Sequence, residues 1–123
     1  MEAITITSSP KTPEINFKEG LIEISGRSIP ENSIEFYKPM IEWLKEYVNE
    51  PIKTEVNIKL EYFNTSSSKC LLDVFKKLED INKKTEVIIN WCYEEDDEDM
   101  LEAGEDYESI IKIPFNMVEV EEI

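Results

Sequence analysis

Glu55-Val56-Asn57-Ile58-Lys59-Leu60-Glu61-Tyr62-Phe63-Asn64-Thr65-Ser66-Ser67-Ser68-Lys69 is the stretch that decides the fold. Its first part alternates, with Val56, Ile58, Leu60 and Tyr62 on one face and Glu55, Asn57, Lys59 and Glu61 on the other. Period two is the mark of a half-buried strand. After Lys69 the period changes. Cys70, Leu71, Val74, Phe75, Leu78 and Ile81 recur at helical spacing, which predicts a helix from about Ser66 to Lys83. The hydroxyls of Thr65, Ser66, Ser67 and Ser68 therefore stand where a strand hands over to a helix. A helix start carries unpaired N–H groups and partial positive charge. A hydroxyl there caps the helix, and a phosphate there is stabilised.

Upstream, Ile34, Tyr37, Ile41, Leu44 and Val48 recur every three or four residues and predict an earlier helix. Asn32 or Ser33 caps it, and Glu35 follows Asn32 in a loose capping-box match. Pro39 either opens its main part or kinks it, and Pro51 follows its end. Before it, Ile4–Thr7 reads as a strand and Ser8–Pro13 as an irregular connection. Glu14–Phe17 and Leu21–Ser25 read as a hairpin around Lys18-Glu19-Gly20, and Arg27–Glu31 as loop.

Downstream, Thr85–Tyr93 reads as a strand. Val87, Ile89, Trp91 and Tyr93 face one way, Ile88 and Cys92 the other, which predicts cover on both faces. A short acidic helix is expected over Asp97–Tyr107, weakened by Gly104. Ile110–Ile113 reads as the last strand, limited by Pro114, with Val118 and Val120 as a short edge segment. Strands alternating with helices argue for right-handed crossovers between parallel strands. The expected fold is α/β: one domain over residues 1–123, with a mixed sheet, an N-terminal antiparallel hairpin and crossover helices. Trp43, Tyr47, Trp91 and Tyr93 are expected in the core.

The chain of 123 residues is long enough for one domain with a real core. No apolar run approaches the roughly 20 residues that span a bilayer, and the N-terminus lacks the pattern of a signal peptide. Cys70 and Cys92 lie far apart and outside any CxxC, which fits reduced thiols in a cytoplasmic protein. The net charge of −15 is lopsided. Glu94, Glu95, Asp96, Asp97, Glu98, Asp99, Glu102, Glu105, Asp106 and Glu108 stand without a single Lys or Arg among them. Such a charge repels nucleic acid and anionic membrane and suits a basic or mixed protein surface.

There is no histidine, so the commonest general base and metal ligand is missing and Ser–His–Asp or Cys–His catalysis is impossible. Gly20, Gly26 and Gly104 make no phosphate loop or dinucleotide fingerprint. Asp97, Asp99 and Glu108 fall at positions one, three and twelve of a calcium loop. Leu101 and Glu102 then stand where a ligand and a glycine are needed, so no metal site is expected. Nothing in the carboxylate spacing favours a hydrolase pair.

Pro30-Glu31-Asn32-Ser33 before the first main helix, and Leu60-Glu61-Tyr62-Phe63-Asn64-Thr65-Ser66-Ser67 before the second, resemble the SiaC family of bacterial regulatory phosphoproteins. Asp73-Val74-Phe75 with Leu78-Glu79, and the order of elements over nearly the whole chain, are similar too. The resemblance implies a STAS-like fold and a part in partner switching. A Ser/Thr kinase with an ATPase-like fold adds phosphate, a PP2C-type phosphatase removes it, and the matching acceptor is Thr65. The unmodified form is expected to bind and regulate an effector, in one branch a GGDEF diguanylate cyclase. The long acidic segment after Tyr93 departs from the family pattern.

The sequence thus predicts a cytoplasmic, non-enzymatic switch without cofactor. Its partner surface is expected at Asn32, Ser33, Asn64, Ser66, Ser67, Ser68 and Lys69. The competing reading is an acidic adaptor working through Glu94–Glu108 with no phosphoswitch.

Overall fold

The computed structural model describes residues Met1–Ile123. Nine elements follow in order: β1 (Ile4–Ile6), β2 (Glu14–Lys18), β3 (Leu21–Ser28), α1 (Ser33–Tyr47), β4 (Thr54–Phe63), α2 (Thr65–Asn82), β5 (Val87–Glu94), α3 (Glu98–Ile110) and β6 (Phe115–Val120). The six strands form one sheet in sequence order. β1, β2 and β3 pair antiparallel, and β3 through β6 pair parallel. Each helix is the crossover between two parallel neighbours. The expected mixed α/β sheet, with its leading hairpin and crossover helices, is what the chain forms.

Burial alternates along the strands. Ile15, Phe17, Ile22, Ile24, Val56, Ile58, Leu60, Val87, Ile89 and Trp91 point into the core under the helices. The opposite face stays in contact with solvent and carries a polar row. Asn16, Glu23, Asn57, Asn90 and Asn116 stand opposite one another across five strands. Asn57 Nδ2 donates to Glu23 at 3.2 Å, Asn90 Nδ2 to Asn57 Oδ1 at 2.8 Å and Asn116 Nδ2 to Asn90 Oδ1 at 3.1 Å. A slip of one residue would turn this row into the core, so it holds the register. The expected double cover of β5 holds only in part: Cys92 is buried on this face, while Ile88 and Asn90 are half-buried.

At the hairpin, Gly20 turns with φ +87°, a conformation that suits glycine, and its N–H donates to Tyr47 Oη at 2.9 Å. The turn is thereby fastened to the end of α1. Asn32 caps α1, accepting from Glu35 N–H at 3.1 Å, and Pro39 sits inside the helix.

The C-terminal end differs from the sequence reading. Ile110 ends α3, while Ile111 and Ile113 are buried in the connection that follows. Their alternation imitates a strand. The true last strand begins after Pro114 and absorbs Val118 and Val120. β3 also runs on to Ser28, through residues that read as loop. A register shift there sets Gly26 against Leu60 but Arg27 against Tyr62, skipping Glu61. The shift turns Tyr62 outward, 52 % exposed, instead of inward with Leu60. Phe63 takes the inner side, edge-on to Trp91 at 6.1 Å. Trp43, Tyr47 and Trp91 are buried as expected, and Tyr93 is half-buried. No helix is long and apolar enough to cross a membrane.

Candidate functional site

The polar cluster that the sequence pointed to lies where β4 passes into α2, against the start of α1. Asn64 is the cap of α2: its backbone is extended and its Oδ1 accepts from Ser67 N–H at 2.9 Å. Its own N–H donates to the Ser28 carbonyl at 3.0 Å. This locks the junction to the end of β3. Thr65 is then the first residue of the helix rather than its cap, and it is exposed.

The serine hydroxyls form a network with a fixed direction, because each has one proton to give. Ser67 Oγ donates to the Ser28 carbonyl at 3.0 Å, and Ser28 Oγ donates to Ser67 Oγ at 2.9 Å. With the Ser28 proton so used, the 2.6 Å contact between Ser28 Oγ and Tyr37 Oη is donated by the tyrosine. Burial pushes the Tyr37 phenol well above its ordinary pKa, against a smaller opposing pull from Ser28, so it holds that proton. Ser66 Oγ donates to Asn64 Oδ1 at 3.2 Å, which makes Ser33 the donor in its 2.8 Å contact with Ser66 Oγ. A longer contact of 3.3 Å joins Ser33 to Ser67. No buried side-chain polar atom in the chain lacks a partner.

Of the residues the sequence singled out, Ser33, Asn64, Ser66 and Ser67 thus meet in one cluster. Asn32 stands beside it, occupied with capping α1. Ser68 is half-buried, and its carbonyl accepts from Tyr107 Oη at 2.7 Å, which ties α3 to the first turn of α2. Lys69 is exposed one turn after Thr65 on the same helix face. The Thr65 hydroxyl enters none of the cluster's bonds.

Sequence reasoning missed Ser28 and Tyr37. The phase of Ile22, Ile24 and Gly26 does carry Ser28 inward, but nothing local shows that it meets Ser67. Next to the cluster, a groove of about 410 Å³ runs between α1 and α2, with Ile34, Tyr37, Ile41 and Cys70 on its walls. Ile34, immediately after Ser33, is 77 % exposed.

The acidic segment is built differently. Asp97 caps α3, its Oδ1 accepting from Met100 N–H at 3.0 Å, and Glu98 and Asp99 fill the first turn. The span from Asp97 to Glu108 is therefore a cap and a helix, not an ion-binding loop.

This is a small α/β architecture of a mixed sheet with three crossover helices on one chain, and solved structures share it. The apo form of SiaC from Pseudomonas aeruginosa matches with a TM-score of 0.86 at 28 % identity, over 96 % of this chain and 99 % of that one. The crystal structure of the diguanylate cyclase SiaD in complex with its activator SiaC, from the same organism, contains a match with a TM-score of 0.88 at 27 % identity, over 95 % of this chain and 99 % of that one. An uncharacterised protein of Pseudomonas aeruginosa (strain UCBPP-PA14) is 29 % identical over 119 residues, 94 % of each chain. The model of the SiaC family regulatory phosphoproteins matches residues 6–120, and the chain belongs to that family.

Proposed function

We propose that this chain is a non-enzymatic, cytoplasmic partner switch controlled by phosphate on Thr65. A Ser/Thr kinase with an ATPase-like fold adds the phosphate and a PP2C-type phosphatase removes it. The unmodified form binds and regulates an effector of the diguanylate cyclase kind. The observation that carries this reading is the contrast within the junction: Thr65 is exposed and outside the hydroxyl network, while Ser67 is buried and bonded within it.

Phosphate on Thr65 adds about −1.5 to −2 charge at the start of an 18-residue helix that has no acidic residue in its first turn. The helix dipole and Lys69 hold that charge without disturbing the core. The effector surface is Asn32, Asn64, Ser66, Ser68 and Lys69, extended by the exposed Ile34; Ser33 and Ser67, expected from sequence to share it, are buried and support it from beneath. A partner seated on neutral hydroxyls is displaced when one of them becomes a dianion. The complex of SiaC with SiaD supports the choice of effector class.

The test is phosphorylation of the purified chain by such a kinase with ATP, followed by site mapping and effector binding. Thr65→Ala should abolish incorporation and keep the fold. Phosphate recovered on Ser67 or Ser68 of the intact protein would overturn the assignment.

A further inference from the structure

We infer that Ser33 selects the acceptor: its hydroxyl clasps Ser66 and thereby keeps modification on Thr65, an inference that rests on the junction being a phosphoacceptor site. Two neighbouring hydroxyls at the head of α2 are exposed, Thr65 and Ser66. Exposure alone would make both of them acceptors. Their bonding separates them.

Phosphoryl transfer joins the hydroxyl oxygen to the terminal phosphorus of a nucleoside triphosphate. The bond from that phosphorus to the departing diphosphate breaks, and the hydroxyl proton passes to a base of the kinase. The hydroxyl must therefore have a lone pair free to aim and a proton free to leave. Thr65 meets both conditions. The Ser66 proton rests on Asn64 Oδ1 at 3.2 Å, and one of its lone pairs holds the Ser33 proton at 2.8 Å.

Turning Ser66 toward a kinase breaks both of these bonds. Ser33 is 3 % exposed, so water cannot take up the proton it loses a partner for, and only the longer contact to Ser67 at 3.3 Å is left to it. Ser67 itself is 0 % exposed and is closed to any kinase. The residue that decides between the two exposed hydroxyls thus lies 33 positions away in sequence, on the first turn of α1. It touches neither nucleotide nor transferred phosphate and acts as a positioning residue.

The experiment uses the full chain, a purified family kinase and ATP, with phosphate mapped by mass spectrometry. The native chain should carry phosphate on Thr65 alone, and Thr65→Ala should carry none. Adding Ser33→Ala to Thr65→Ala should open Ser66, so that label appears there where Thr65→Ala alone carries none. Asn64→Gly in the Thr65→Ala background frees the other end of the Ser66 hydroxyl at little cost to the helix cap, and should act in the same direction. Thermal midpoints establish that each variant is folded. Equal labelling of Ser66 with and without Ser33, or a folded double variant with Ser66 still silent, would sink the inference. Absence of label anywhere in the native chain would instead remove the phosphoswitch reading on which it rests.

Discussion

The two helices α2 and α3 begin in opposite ways. α3 starts on permanent charge: Asp97 caps it and Glu98 and Asp99 occupy its first turn. α2 starts on neutral groups: Asn64 caps it and Thr65, Ser66 and Ser67 follow, with no acid in the first turn. Both solve the same backbone problem of unpaired N–H groups beside a positive dipole end. The acidic helix settles its dipole once, in the sequence. The serine-rich helix leaves its dipole without such a charge, which is where the proposed phosphate on Thr65 would sit. The contrast supports the proposal that regulation sits at the junction, with the acidic helix in a structural and long-range electrostatic part.

The two regions are joined through Trp91 and Tyr107. Gly104 lies against Trp91, where an added Cβ would come within 2.5 Å of the ring. Trp91 is fully buried and donates to the Met100 carbonyl at 3.0 Å, so it has no room to yield. Gly104→Ala should therefore cost about 3 kcal/mol, the largest single effect expected in the acidic half. Denaturant unfolding measures it. A neutral result would mean that α3 is not seated on the sheet as described.

Alkaline pH separates the halves next. Burial raises the Tyr107 phenol from 10.0 to about 12, against a smaller opposing pull from the Ser68 side chain. The unfolded chain loses that proton near pH 10, and the folded chain keeps it until about pH 12. Over that window the unfolded state binds fewer protons, so stability is full below it and falls as pH rises through it, by about 3 kcal/mol at most. Tyr37, under the junction, is raised further and lets go later. Tyr107→Phe should flatten the slope of unfolding free energy against pH between those limits. An unchanged slope would show that α3 is not held by this phenol.

The caps come third. Asn64→Ala and Asp97→Ala should each cost about 1 kcal/mol, since each removes the acceptor for a first-turn N–H. Thr65→Ala should cost only a few tenths, because Thr65 is exposed and is not the cap. A loss at Thr65 equal to that at Asn64 would break the distinction between the residue that holds the helix and the residue proposed to carry the signal.

How far these regions could be read from sequence follows from how local their physics is. The β4–α2 handover, the Asn32 cap of α1 and the hairpin at Gly20 are short-range patterns and were legible. Ile111 and Ile113 misled because burial in a connecting segment copies the period of a strand. Tyr62 misled because a register shift across β3 and β4 reverses its side, and one strand alone cannot show a shift that belongs to a pair. Gly104 read as a weak point of a helix, whereas its lack of a side chain admits Trp91. At the site, the hydroxyl run was plain, but its division into a free Thr65, a clasped Ser66 and a buried Ser67 depends on Ser28, Ser33 and Tyr37, which come from other elements.

The smallest effect expected concerns the acidic surface in binding. Glu95 and Asp96 are exposed and Glu94 is half-buried, at the C-terminal end of β5, one strand over from the β4–α2 junction at the same edge of the parallel sheet. If the effector seats on the junction, these carboxylates lie at the rim or beyond it. Rim charges act through the encounter and are screened by salt over about 8–10 Å. Changing all three to lysine should therefore alter the association rate and its salt dependence, leave the dissociation rate nearly unchanged, and shift affinity by under about 1 kcal/mol. Stopped-flow binding to the effector at two salt concentrations gives both rates. Thr65→Glu, which places a charge inside the proposed interface, should act mainly on dissociation. Loss of binding in the triple variant with Thr65→Glu still binding normally would exchange the roles of the two helices, making the acidic face the docking surface and the junction a structural cap.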